Sequence, residues 1–369
     1  MSVFKIVPRI RSFSRLADFT AEFCVGEGDV ILTTRFLYEK YFASSGFRCV
    51  LQDDYGKGEP DSIRINQIRG DIVKTPYNRV IAVGGGSVID IAKLMALDGW
   101  TDCLPLFKKE IPSRKTKTLV IVPTTCGTGS EVTNISIAAF PELNTKFGLA
   151  DDALYADDAV LVSELLEGLP YRVFMHSSID ALIHAIESYL SPKANELSEM
   201  FSVKAMEMIV GGYMRMVEKG KEETNALAGA FLTASNYAGI AFSNAGCGLI
   251  HAMSYPIGNE YHIPHGESNY ELMEAVLDFY ATRQPGGKFA SICAILAKII
   301  GCPAKEAVSS LCRIIDSLIV REPMAEFGMD RAKSAVYAKQ VIEQQQRLLA
   351  NAYVPVKAEE IETIYNHIL

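Results

Sequence analysis

The 369-residue chain is longer than one hydrophobic core usually supports, so two domains are expected. A hydrophobic share of 49% with 22% charged residues suits a globular protein with a substantial core, and excludes a largely disordered chain. The net charge of −8 excludes a sequence-independent nucleic-acid binder, which needs a basic face, and leaves small molecules as the expected partners.

The first residues, Met-Ser-Val-Phe-Lys-Ile-Val-Pro-Arg, lack the long apolar core of a secretory signal, and the eight cysteines form no CxxC pair. Both point to the reducing cytoplasm. Up to about residue 165, β-branched runs such as Asp29–Thr34, Arg79–Val83 and Thr118–Val122 alternate with helical stretches, the pattern of a parallel α/β sheet. Val83-Gly-Gly-Gly-Ser87 and the residues through Lys93 read as a strand, a turn without Cβ atoms and a helix beginning near Ser87. Such a turn lets a phosphate approach the backbone at a helix N-terminus. It is not the Gly-x-Gly-x-x-Gly fingerprint, and a ligand-free turn is the bland reading of the same residues. A second loop, Val122-Pro-Thr-Thr-Cys126 through Thr133, gathers hydroxyls and glycines after another β run. It reads either as a binder of ribose and amide groups or as a simple turn.

After Gly168-Leu-Pro170 the strand signals vanish. Helical periodicity continues through Phe201–Glu218, Glu267–Arg283, Lys288–Ile300 and Ala304–Leu318. The boundary falls within 165–175, giving an α/β nucleotide-binding domain over 1–168 and an all-helical metal-binding domain over 169–369. The stretch Asn225–Asn259 holds no Asp, Glu, Lys or Arg, as a membrane span would. Its Ala, Gly, Ser and Asn content instead predicts a closely packed core helix ending at His251.

Asp180 and His184 stand four residues apart in an apolar-periodic stretch, which puts both on one helix face. His251 and His265 flank a Gly/Pro corner, Tyr255–Pro264, that can fold back. Any one histidine is more often a satisfied core or surface residue than a ligand. The chain has only six, however, and one carboxylate with three imidazoles suits Fe(II) or Zn(II). A cleft between the domains would bring nucleotide and metal together, and a metal beside a nucleotide implies redox chemistry.

Taken together, Val-Gly-Gly-Gly-Ser-Val-Ile-Asp90, Pro-Thr-Thr-Cys-Gly-Thr-Gly-Ser-Glu-Val-Thr133, Asp180-Ala-Leu-Ile-His184 and His251…Pro264-His265-Gly resemble the iron-containing alcohol dehydrogenase family. Its fold is shared with glycerol dehydrogenase and dehydroquinate synthase. The resemblance runs over nearly the whole chain, and Ser-Asn-Tyr-Ala-Gly-Ile-Ala-Phe242 with Tyr261-His-Ile-Pro-His-Gly-Glu-Ser-Asn269 point to its 4-hydroxybutyrate dehydrogenase branch. It implies metal ligands at Asp180, His184, His251 and His265. It implies cofactor contacts at Gly85, Gly86, Ser87, Asp90, Thr124, Thr125, Thr128 and Lys146, and a homodimer.

The implied reaction is hydride transfer between NAD, or NADP, and a hydroxy acid, with Fe(II) or Zn(II) as Lewis acid. 4-Hydroxybutyrate would give succinate semialdehyde; the alternative substrate is an uncharged alcohol or diol such as 1,3-propanediol. A lyase like dehydroquinate synthase and a non-enzymatic nucleotide binder are the readings from other classes. Two departures matter. Leu32-Thr-Thr-Arg35 replaces the aspartate that excludes NADP in many relatives, and Arg35 could accept a 2′-phosphate. Tyr255 replaces a histidine beside the nicotinamide, so Tyr255 or the nearby His262 becomes the candidate proton relay. His262 could equally bind a substrate carboxylate, as could Arg172 or Lys193, or cap a turn.

Overall fold

The computed structural model describes residues 3–56, 58, 60–143 and 145–369. It divides into two compact units, Ile6–Glu167, and Gly168–Leu369 joined by residues 3–5. In the first unit, β1 (Arg9–Phe13), β2 (Asp29–Thr33), β3 (Cys49–Leu51), β4 (Arg79–Gly84), β7 (Thr118–Pro123) and β10 (Asp158–Val162) form one parallel sheet in the order β1-β10-β7-β4-β2-β3. Two antiparallel pairs complete it, β5 (Leu97–Asp98) with β6 (Arg114–Lys115) and β8 (Ile135–Phe140) with β9 (Thr145–Ala150). The β8–β9 hairpin lies outside the expected parallel pattern, and it carries Lys146.

Because side chains alternate along a strand, the sheet feeds two cores. Val30, Leu32, Val80, Ala82, Leu119 and Ile121 pack on one face with Ile65, Ile68 and Ile72 of a helix at Ser62–Ile72. Ile31, Ile81, Val83, Val120, Val122 and Val160 pack on the other with Leu16 and Phe19 of a helix at Leu16–Glu22. Burial on both faces explains the continuous apolar runs, and each such side chain contributes roughly 1.5–3 kcal/mol. Numbered in chain order, these helices are α1 (Leu16–Glu22), the short α2 (Arg35–Leu37), α3 (Ser62–Ile72), α4 (Gly86–Met95) and the short α5 (Leu104–Phe107).

The second unit is helical: α6 (Tyr171–Leu190), α7 (Glu196–Lys219), α8 (Glu223–Ala245), α9 (Leu249–Tyr261), α10 (His265–Arg283), α11 (Gly287–Ile300), α12 (Ala307–Leu318), α13 (Arg331–Gln344), the short α14 (Gln346–Leu349) and α15 (Ala358–Asn366). No single helix among the described residues is long and apolar enough to cross a membrane. Along α6 every residue from Ser178 to Leu190 is buried. A Cβ on Gly212 of α7 would stand 2.4 Å from the Phe231 ring of α8, so the two helices pack closely there.

The uncharged run is two helices rather than one. The break is Gly246-Cys247-Gly248, where Gly246 takes φ +82°. A Cβ there would lie 2.3 Å from Asn351 Nδ2, so only glycine fits. His251 therefore opens α9 instead of ending the preceding helix. The corner read over Tyr255–Pro264 is likewise shorter, because α9 runs through Pro256 to Tyr261 and turns only at His262–Pro264.

Candidate functional site

In the first unit, α4 begins directly after the glycine turn. Gly85 caps it without a side-chain hydrogen bond, leaving first-turn N–H groups for an anion. A Cβ on Gly84 would lie 2.6 Å from Val88, so the glycine is required for helix and strand to meet. The β4–β7 register aligns Gly84 with Pro123, and the threonine loop consequently lies beside the glycine turn. A Cβ on Gly86 would stand 3.1 Å from Thr128 Cγ2, and one on Gly85 3.6 Å from Thr125 Cγ2. Thr124 is buried, and Lys146 is exposed on β9.

A cavity of about 280 Å³ opens on this turn, lined by Thr34, Gln52, Asp53, Gly85, Gly86 and Ser87 among others. Arg35, the residue that could have met a 2′-phosphate, ion-pairs with Asp54. Asp53, which the sequence did not single out, lines the cavity from the short turn after β3, its carboxylate accepting from Arg35 N at 2.6 Å. Asp90 also joins α4 to β8: its carboxylate accepts from Ile137 N at 3.2 Å and its carbonyl from Ser136 Oγ at 2.9 Å.

The second unit gathers the four expected ligands. Asp180 Oδ1 lies 3.9 Å from His184 Nε2, 3.6 Å from His251 Nε2 and 3.7 Å from His265 Nε2. The first two come from one face of α6, His251 from the first turn of α9 and His265 from the start of α10. Burial alone would raise the Asp180 carboxyl, but the imidazoles of His184, His265 and His251 hold it below the usual carboxylate range. Burial opposes charge on His251, yet Asp180 and Glu187 push this imidazole up to about 9. The donor chemistry fits a divalent transition metal: one carboxylate and three imidazoles converge with their Nε2 atoms.

Three further residues belong to the cluster and escaped the sequence reading. Glu187, one helical turn beyond His184, accepts from His251 Nδ1 at 2.6 Å, Gly248 N at 3.0 Å and Ile250 N at 2.6 Å. It fixes the His251 ring so that Nε2 faces the other ligands. Asn269 Nδ2 donates to Asp180 Oδ1 at 2.8 Å, while its Oδ1 is buried without a hydrogen-bond partner, as expected beside a site that takes a cation or hydroxyl. Cys247 lies within reach of His184 and His251, and burial with Glu187 and Asp180 pushes its thiol up. Helical spacing from His184 and His265 was the signal that could have revealed Glu187 and Asn269; Cys247 offered none.

Tyr255 is drawn in, its ring centroid 5.8 Å from that of His265. His262 is not. It is exposed at the C-cap of α9 in left-handed conformation (φ 53°), and among the described residues no hydrogen bond joins it to the cluster. Arg172 is held by Glu267 at 2.6 Å, and the same carboxylate meets His176 at 3.2 Å.

The chain belongs to the iron-containing alcohol dehydrogenase family, a class of oxidoreductases. The model described as "Iron-containing alcohol dehydrogenase" matches residues 6–163, and "Fe-containing alcohol dehydrogenase family, C-terminal" matches 174–369. Within it, the chain is 49% identical over 367 residues, 99% of both chains, to 4-hydroxybutyrate dehydrogenase of Clostridium kluyveri. It is 34% identical to long-chain-alcohol dehydrogenase 1 of Geobacillus thermodenitrificans over 78% of this chain and 74% of that one. Among solved structures the fold matches a 1,3-propanediol oxidoreductase with TM-score 0.87 at 21% identity over 100% of both chains. It also matches sulfoacetaldehyde reductase from Bifidobacterium kashiwanohense in complex with NAD+, with TM-score 0.86 at 20% identity over 100% of this chain and 98% of that one.

Proposed function

We propose that this chain is a metal-dependent 4-hydroxybutyrate dehydrogenase, oxidising a primary hydroxyl to an aldehyde by hydride transfer to NAD. The observation that carries the chemistry is the convergence of three imidazole Nε2 atoms on one buried carboxylate oxygen. The near full-length identity to the clostridial relative supports the substrate. Asp180, His184, His251 and His265 would hold the ion, Fe(II) with Zn(II) as alternative, and the ion would supply positive charge at the hydroxyl or carbonyl oxygen.

Each residue has a part in this reading. Glu187 keeps His251 in the tautomer whose Nε2 lone pair faces inward. Asn269 orients Asp180 and keeps an amide acceptor for the substrate hydroxyl. Tyr255, beside His265, relays the hydroxyl proton, and His262 caps a helix. The Gly85–Gly86–Ser87 turn binds pyrophosphate, with Thr124, Thr125, Thr128 and Lys146 toward the rest of the cofactor. Asp53 in the cavity favours NAD over NADP, since its carboxylate would stand against a 2′-phosphate while the Arg35 guanidinium is engaged by Asp54. The enzyme acts as a cytoplasmic homodimer.

The test is the absorbance of reduced nicotinamide, with 4-hydroxybutyrate or 1,3-propanediol and NAD or NADP, on protein stripped of metal and reloaded with Fe(II) or Zn(II). Metal-dependent NADH formation from 4-hydroxybutyrate is expected. Turnover of the diol alone would overturn the substrate assignment, and silence with both would overturn the reaction.

A further inference from the structure

Cys247 occupies the middle of the Gly246–Gly248 break, and the fold fixes its backbone from both sides. Its carbonyl accepts from Asn351 Nδ2 at 3.1 Å, while the following amide, Gly248 N, donates to Glu187 at 3.0 Å. Gly246 is locked in a conformation that a side chain would not fit. The thiol thus sits where secondary-structure ends have placed it, and its sulfur and ring nitrogens of His184 and His251 all lie within 4.8 Å of one another, all three residues buried. A second triplet, Asp180, His251 and His265, satisfies the same limit. The two sets share His251 and differ in character: the second offers a hard carboxylate oxygen, the first a soft sulfur.

Resting on the metal reading above, we propose that Cys247 is a fifth ligand of this centre, recruited by thiophilic ions. A thiophilic ion such as zinc, cadmium or cobalt, held by Asp180 and the histidines, gains Cys247 Sγ beside His184 and His251 as an added ligand, whereas an oxygen-preferring ion leaves the thiol protonated. Softness decides whether the sulfur is engaged, because thiolate strongly favours zinc-class ions over Mn(II)-class ions. On binding, the metal–sulfur bond replaces the S–H bond and the proton passes to solvent, with no change in oxidation state. This chain is therefore expected to hold zinc more tightly than a carboxylate and three imidazoles alone would.

The experiment adds Co(II) to metal-free full-length protein, wild type and Cys247→Ser, and records electronic spectra. Visible ligand-field bands report cobalt at the site whatever its ligands, and a near-ultraviolet sulfur-to-cobalt charge-transfer band reports the thiolate. Wild type is expected to show both, and the serine variant to keep the former and lose the latter. Its zinc and cadmium affinities should fall about tenfold or more while Mn(II) affinity stays within about twofold. Ligand-field bands without charge transfer in wild type would overturn the proposal and leave the metal site intact; no cobalt spectrum at all would overturn the metal site itself. Cys247→Ala, compared by circular dichroism and titrated alongside, separates loss of the ligand from loss of the fold.

Discussion

Replacing Glu187 with Gln keeps the shape but removes the charge and turns one acceptor oxygen into a donor, which makes it the most direct probe of how the cluster is built. The carboxylate serves three donors, and both oxygens are used: one accepts from Gly248 N and His251 Nδ1, the other from Ile250 N. A glutamine has one acceptor oxygen, so its NH2 must face at least one of these donors. The change loses a charge-assisted bond and leaves a buried N–H unsatisfied, about 3 kcal/mol in all. Urea denaturation of the metal-free protein should register that loss. Metal affinity, measured by competition with a chromophoric chelator, should fall roughly 10–100-fold because the His251 ring is no longer held. The His251 imidazole, pushed up to about 9 in the intact protein, should titrate lower in the variant by NMR. If stability stays within about 0.5 kcal/mol and metal affinity within about twofold, Glu187 does not organise this centre.

Other expectations follow from single features. Glu271 on α10 is buried, and that burial, opposed by Arg321 and reinforced by Glu267 and Asp316, pushes its carboxyl from 4.5 up to about 8. Below about pH 4.5 it is protonated folded or unfolded. Between there and about pH 8 the unfolded chain gives up a proton that the native state retains, so stability falls as pH rises, by on the order of 4 kcal/mol. Glu271→Gln should flatten that slope in urea melts from pH 5 to pH 9; an unchanged slope would refute the assignment. Gly266→Ala would put a Cβ 2.0 Å from the His176 carbonyl oxygen, beside His265, and should cost about 3 kcal/mol or more in stability. Wild-type stability in that variant would mean the α6–α10 approach is looser than described. Asp53→Ser should raise kcat/KM with NADP relative to NAD by about tenfold, and no change would remove Asp53 from cofactor selection.

Much of the fold and site was legible because the signals were local. Continuous apolar runs marked β2, β4 and β7, and the four-residue spacing of Asp180 and His184 put both proposed ligands on one face of α6. What escaped depended on tertiary context. The small, uncharged residues of 225–259 favour a helix on either side of Gly246, and the contacts that leave room for only a glycine there come from Asn351, over 100 positions away. The β8–β9 hairpin contains a glycine and a lysine that weaken its strand signal, and its closure with α4 runs through Asp90. His262 shows the same dependence: nothing in the local sequence announces the left-handed turn that ends α9 at this residue.

Helix ends usually fray, since their first amides have no partner within the helix. At α9 two of these amides, Gly248 N and Ile250 N, bind a carboxylate on α6 instead, the same one that grips His251. Their solvent exchange is consequently tied to the separation of two helices, not to the unwinding of one turn. These two positions should rank among the slowest-exchanging amides in the unit, a clock for the integrity of the centre that runs without substrate or cofactor.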